Sequence, residues 1–246
     1  MKPKLYVFTI SHYCEKAKWA LDYFALPYEL VVLSPLEHRK VAGRLGLAQG
    51  SVPFLQAGKE VVQGSTAILD WASQNKKNAR SLHIDDPQVV ACITRLDEVL
   101  GVHVRRFYYS AGIIEQPALV KPIFLHGLNT WGKLKMMFAW PKVRQLMTKY
   151  MDLGVRQGEE SKRIIETELA WLENLLSQNG GTLSHKGFSA ADLSAASLLA
   201  PLVLPPEYPV ADLMQLPSKI ERAVLEWEER PSVQWVKHAY ATWRAA

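Results

Sequence analysis

Only two cysteines occur in the 246-residue sequence, Cys14 and Cys92, far apart in the chain. That excludes a disulfide framework and leads us to expect a reducing, intracellular setting. Long apolar runs are missing as well. The longest lies in SLLAPLVLPP, broken at Pro201 and ended by Pro205 and Pro206, too short to span a bilayer. The N-terminal stretch MKPKLYVFTI carries two lysines but no sustained apolar segment and no small-residue cleavage site, so no signal peptide is expected. The seven histidines show no metal-ligand spacing of the HExxH kind, and no glycine-rich phosphate-cradling loop appears; no metal is expected. Internal repeats and low-complexity tracts are absent. These absences point to a cytoplasmic protein with no membrane partner.

What is present is ordinary globular composition, 48% hydrophobic and 22% charged residues, enough for a sizeable core in one large or two smaller domains. The formal net charge of +5 is unevenly placed. Residues 101–163 hold eleven Lys or Arg against four Asp or Glu, whereas residues 164–246 hold six against ten. A basic middle suits an anionic ligand or nucleic acid. Without an RNA-binding motif or interleaved basic and aromatic residues, the favoured reading is a solvated helix surface and no nucleic-acid partner.

Along the chain, LYVFT (5–9) reads as a buried strand. A helix follows from Tyr13 to about Ala25, with Ala17, Leu21, Phe24 and Ala25 on one face, Lys16 and Lys18 pointing outward, and Pro27 as terminator. YELVVL (28–33) is a second strand and 37–47 a weak helix. VPFLQ (52–56) and EVVQ (60–63) form an antiparallel hairpin about a Gly-containing turn. A helix then starts at Ser65, its expected cap. The order, βαβαββα, implies a small mixed sheet covered by helices. After residue 87 only helices are expected, at 88–109, 117–128, 133–152, 159–178, 190–204, 218–230 and 232–243. In FSAADLSAASLLAPL (188–202), Ser189 and Asp192 fit a capping box and Phe188 with Leu193 a hydrophobic staple. The nearly all-apolar helix behind them should be buried.

The stretch FTISHYCEKAKWAL (8–21) sets a hydroxyl and a thiol at the mouth of the first helix. Ser11 is either an N-cap or a reactive-site hydroxyl. Cys14 is either a small core residue or, if exposed at the helix terminus, a thiol of lowered pKa.

Four stretches, SHYCEKAKWAL after the first strand, VPFL opening the third, GSTAILDWA opening the third helix, and FSAADLSAASLLAPL, in this order and spacing resemble the soluble glutathione S-transferase family. The resemblance covers essentially the full chain and is closest to a group of bacterial members. It implies an α+β thioredoxin-like N-terminal domain over 1–78, a linker at 79–87 and an all-α helical-bundle domain over 88–246. It also implies glutathione as co-substrate, an apolar electrophile as second substrate bound between the domains, and a homodimer. Ser11 takes the activating position, and Cys14 the second position of a CxxC-like spacing. Val52 precedes a cis Pro53 and presents its backbone to the cysteinyl part of glutathione. Ser65 holds the γ-glutamyl carboxylate at a helix N-terminus, where free N–H groups and the dipole favour an anion.

Second-substrate contacts are expected from Arg105, Tyr108 and Tyr109 in VHVRRFYY, and from His12 and Tyr13; His12 otherwise reads as a solvent-facing loop residue. Trp131, Met136, Met137, Phe138 and Trp140 are read mostly as core. One position departs from the family. Gly64 stands where it has Glu, Asp or Gln to pair with the ligand's α-amino group, a charge-assisted hydrogen bond of about 1.5–3 kcal/mol. Strand alternation points Gln63 away. Transfer of glutathione to an apolar electrophile is the expected function. A non-catalytic ligand-binding or scaffold protein on the same fold, or a thiol–disulfide oxidoreductase working through Cys14, is the alternative.

Overall fold

In the computed structural model, which describes residues 2–35 and 37–244, two compact units divide the chain. One comprises 1–80 with 121–147, the other 81–120 with 148–246. The first unit carries a four-stranded mixed sheet in the order β2-β1-β3-β4, formed by β1 (Lys4–Val7), β2 (Glu29–Val32), β3 (Phe54–Ala57) and β4 (Glu60–Gln63). β1 pairs parallel with β2 and antiparallel with β3, and β3 antiparallel with β4. The parallel pair needs a crossover helix, which α1 (His12–Tyr23) supplies; α2 (His38–Arg44) and α3 (Ser65–Gln74) complete the βαβαββα order. Leu5 and Val7 alternate inward from β1, and Phe54 and Leu55 are buried on β3.

Helix α1 departs from the expected one-sided pattern. Its Lys16 and Lys18 are buried rather than outward-pointing. The reason is polar satisfaction: Lys16 Nζ donates to Thr66 Oγ1 at 2.7 Å, and Lys18 pairs with the buried Glu15 at 2.7 Å. Buried charges are tolerated when paired in this way. Ala25, expected on the buried face, lies past the helix end with φ 54° and is exposed.

In the second unit α4 (Pro87–Arg95), a π-helical turn at Leu96–Leu100 and α5 (Gly101–Tyr109) run on continuously. Asp86 caps α4, accepting from the N–H groups of Gln88 and Val89, and Pro87 takes the first helical position, where its missing N–H costs nothing. α6 (Pro117–Leu125) is shared between the units and α7 (Thr130–Tyr150) lies almost wholly in the first; the further helices of the second unit are α8 (Val155–Gln178), α9 (Ala190–Val203), α10 (Ser218–Trp227) and α11 (Pro231–Ala239). Among the described residues no strand follows β4.

Every residue of α9 is buried, and the Ser189–Asp192 capping box is formed. The Asp192 carboxylate accepts from Leu183 N–H at 2.8 Å, Ser189 N–H at 3.0 Å and Ser189 Oγ at 2.6 Å. Burial nevertheless pushes its pKa up to about 6, against those three stabilising bonds. Within α7, Met136 and Trp140 are core as expected, but Trp131, Met137 and Phe138 are exposed. The helix turns one stripe inward and leaves the other uncovered.

Candidate functional site

Strand register decides which loops meet. Tyr6 of β1 pairs with Phe54 of β3, and Phe54 with Gln63 of β4. The turn after β1, the segment entering β3 and the segment leaving β4 therefore emerge at one end of the sheet. These are the segments of Ser11, Val52–Pro53 and Gly64–Ser65. They are also joined directly. The Gly64 N–H donates to the Pro53 carbonyl at 2.9 Å, across from a cis Val52–Pro53 peptide bond. Lys16 to Thr66 ties α1 to the first turn of α3. The Gln63 amide donates to the carbonyls of Gln49 and Ser51, both at 2.8 Å, fastening the loop before Val52 and turning Gln63 to a structural task.

Ser11 is the N-cap of α1, in extended conformation. Its N–H donates to Phe8 O at 3.2 Å, and its carbonyl accepts from Glu15 N–H at 3.0 Å. Its Oγ accepts from the Cys14 N–H at 3.3 Å, the ordinary capping arrangement. A hydroxyl that accepts one bond still has its own proton to donate, and the Ser11 hydroxyl hydrogen-bonds the Cys14 side chain in the sense that favours its thiolate. Capping and donation thus coexist in one side chain.

Cys14 is fully buried, and burial pushes its pKa up to about 11, outweighing the hydrogen bond with Ser11, the Phe8 backbone and the charge of Lys18. This corrects the reading in which the helix terminus yields a reactive thiolate. Desolvation wins because the sulfur points into the core rather than out of the helix mouth. His12 is corrected too. It opens α1 rather than lying in a solvent-facing loop, is buried, and its ring lies 4.6 Å from that of the half-buried Tyr13.

Ser65 is buried but is the first residue of α3; Gly64, not Ser65, occupies the cap position. Gly64 has φ 98°, a region that costs side-chain-bearing residues strain, and its carbonyl accepts the Ile68 N–H at 3.0 Å. A Cβ built on Gly64 would meet nothing within 4 Å. The position is therefore sterically open but conformationally costly.

Sequence reasoning missed Lys16 and Thr66. Their contact joins helices fifty residues apart, and no spacing rule within one helix signals it. In the second unit, Tyr108 is buried and its hydroxyl has no hydrogen-bond partner among the described residues. Burial raises its pKa, with the neighbouring Tyr109 adding to the shift. The Tyr109 ring sits edge-on to that of Tyr108 at 6.0 Å. Arg105 and Tyr109 are half-buried.

The model of the glutathione S-transferase N-terminal domain matches residues 5–80. Over those residues the chain carries a glutathione S-transferase N-terminal domain. The transferase fold extends over the remainder. The glutathione transferase GSTFuA3 from Phanerochaete chrysosporium superposes with a TM-score of 0.65 at 17% identity, over 98% of this chain and 97% of that one. A glutathione S-transferase of Ceriporiopsis subvermispora, in complex with glutathione, gives 0.63 at 13% identity, over 98% and 96%. The beta-etherase LigF from Sphingobium gives 0.59 at 18% identity, over 97% and 99%. At these identities the likeness is one of fold. No curated protein matches the chain by sequence.

Proposed function

We propose that the protein is a glutathione transferase, with glutathione as co-substrate and an apolar electrophile as acceptor. The observation that carries this reading is the gathering of Ser11, Val52–Pro53 and Gly64–Ser65 at one end of the sheet, with the Ser11 hydroxyl at the N-terminus of α1. Glutathione, when bound, supplies the sulfur nucleophile.

The residues present fit its thiol and its γ-glutamyl carboxylate. The Val52 backbone aligns the cysteinyl part. Ser65 and the first N–H groups of α3 hold the carboxylate, with the dipole end adding to the attraction. Ser11 Oγ–H donates to the sulfur at the N-terminus of α1, and both effects favour thiolate over thiol. Each pKa unit of lowering corresponds to about 1.4 kcal/mol. Gly64 leaves the α-amino end without the acidic partner usual in the family. Arg105, Tyr108 and Tyr109 are proposed to contact the acceptor, and Tyr108 is supported by its buried, unpartnered hydroxyl. Residues 1–78 and 88–246 are proposed as the glutathione-binding and acceptor-binding domains of a homodimer.

Isothermal titration with reduced glutathione at neutral pH, followed by a conjugation assay, tests this reading. Binding at one site per subunit, with turnover lost in Ser11→Ala, supports it; no heat at millimolar ligand refutes it. Gly64 favours a second reading, a fold that retains ligand binding without catalysis, which predicts binding unaffected by Ser11→Ala and no turnover.

A further inference from the structure

Helix α7 carries a face that the fold does not use. Its buried stripe is Met136, Trp140 and Val143, spaced i, i+4, i+7. Half a turn away, at 3.6 residues per turn, lie Trp131, Leu134 and Phe138 beside Lys135, Lys142 and Lys149. Phe138 is 81% exposed, Trp131 64%, Met137 51% and Leu134 43%. The Lys135 ammonium lies 5.6 Å from the Trp131 ring centre, and that of Lys149 6.0 Å from Tyr150 at the helix end. Between Glu115 and Asp152 the sequence has no Asp or Glu, but six Lys or Arg: 121, 133, 135, 142, 144 and 149.

We propose that this face of α7 docks on an anionic lipid bilayer surface. Exposed large apolar side chains grouped on one helix mark an interaction site. Trp, Phe, Leu and Met beside a row of lysines are the composition of a helix lying in the membrane interface, apolar groups sunk below the headgroups and cations among the phosphates. The charge selects this occupant over a second copy of the chain, since a two-fold contact through α7 would set its five cations against five without an α7 carboxylate between them. The expectation of no membrane partner rested on the lack of an anchor. No helix among the described residues is long and apolar enough to cross a membrane, but lying on a surface requires no such helix.

Cosedimentation of the full chain tests the proposal, with vesicles of phosphatidylcholine alone or mixed with phosphatidylserine. Binding is expected only to the mixed vesicles, falling as salt rises. Each lysine should contribute about fivefold, so Lys135→Gln with Lys142→Gln should weaken binding about 25-fold. Trp131→Ser with Phe138→Ser should also release the protein, with thermal unfolding unchanged because both side chains are exposed. Insertion has its own readout. Both native cysteines are buried, so a polarity-sensitive dye on Phe138→Cys labels one site and should shift to the blue on mixed vesicles alone. No binding to mixed vesicles, binding indifferent to both pairs of substitutions, or a dimer that the Trp131→Ser and Phe138→Ser pair dissociates would each overturn the proposal; the last would make α7 a contact between copies.

Discussion

Gly64→Glu pulls affinity and stability in opposite directions. On the binding side, a carboxylate at position 64 supplies the missing partner of the ligand's α-amino group. A charge-assisted hydrogen bond contributes about 1.5–3 kcal/mol, which is roughly tenfold or more in the glutathione dissociation constant. On the folding side, φ 98° and ψ 146° lie in a region nearly reserved for glycine, and a side chain there costs about 1–3 kcal/mol. Lower entropy of the unfolded chain offsets about 0.4–1 kcal/mol of this. No steric term is added, because a Cβ meets nothing within 4 Å. The variant should therefore bind glutathione about tenfold more tightly while unfolding at lower urea. Titration calorimetry and urea unfolding, run on the same preparation, read the two effects separately. A variant that keeps its fold and binds glutathione no better than the parent would refute the assignment of position 64 to the α-amino group.

Ser11→Ala should abolish transfer, while Cys14→Ala should leave turnover nearly intact and lower only stability, since its buried thiol packs in the core; steady-state conjugation rates check both. Asp192→Ala strands the N–H groups of Leu183 and Ser189 and should cost about 2–6 kcal/mol at about 1–3 per buried unsatisfied donor, measured as a fall in urea midpoint. The Asp192 pKa is raised from 3.8 to about 6 in the fold. Its protonation thus contributes stability fully present below pH 3.8 and lost as pH rises through about 6; Asp192→Asn should flatten that part of the stability–pH curve. Tyr108→Phe removes an unpartnered buried hydroxyl and should raise KM for acceptors that accept a hydrogen bond while leaving glutathione affinity unchanged.

The order of elements was legible because each carries its own local signal. Alternation marks β1, a hydroxyl at Ser11 and a proline at 27 bracket α1, and a Ser–Asp pair announces α9. The candidate site was legible only as positions, since Ser11, Pro53 and Ser65 stand at element ends that composition marks. What could not be read depends on partners distant in the chain. Lys16 and Lys18 look like solvent residues until Thr66 and Glu15 are brought to them. For Cys14 the sequence left a core residue and a reactive thiol both open, and its burial decides for the core residue. The cap position of α3 fell to Gly64 because its positive φ turns the chain one residue earlier than a serine cap would.

The two sulfurs carry a further consequence. Burial holds Cys14 near pKa 11 and Cys92 near 12, so at neutral pH both remain thiols shielded from solvent. For a protein proposed to work among electrophiles, this is immunity to self-alkylation: a reactive carbon arriving from solution meets no thiolate of the protein's own, and the sulfur it does meet is one that leaves with the product and is replaced at the next turnover.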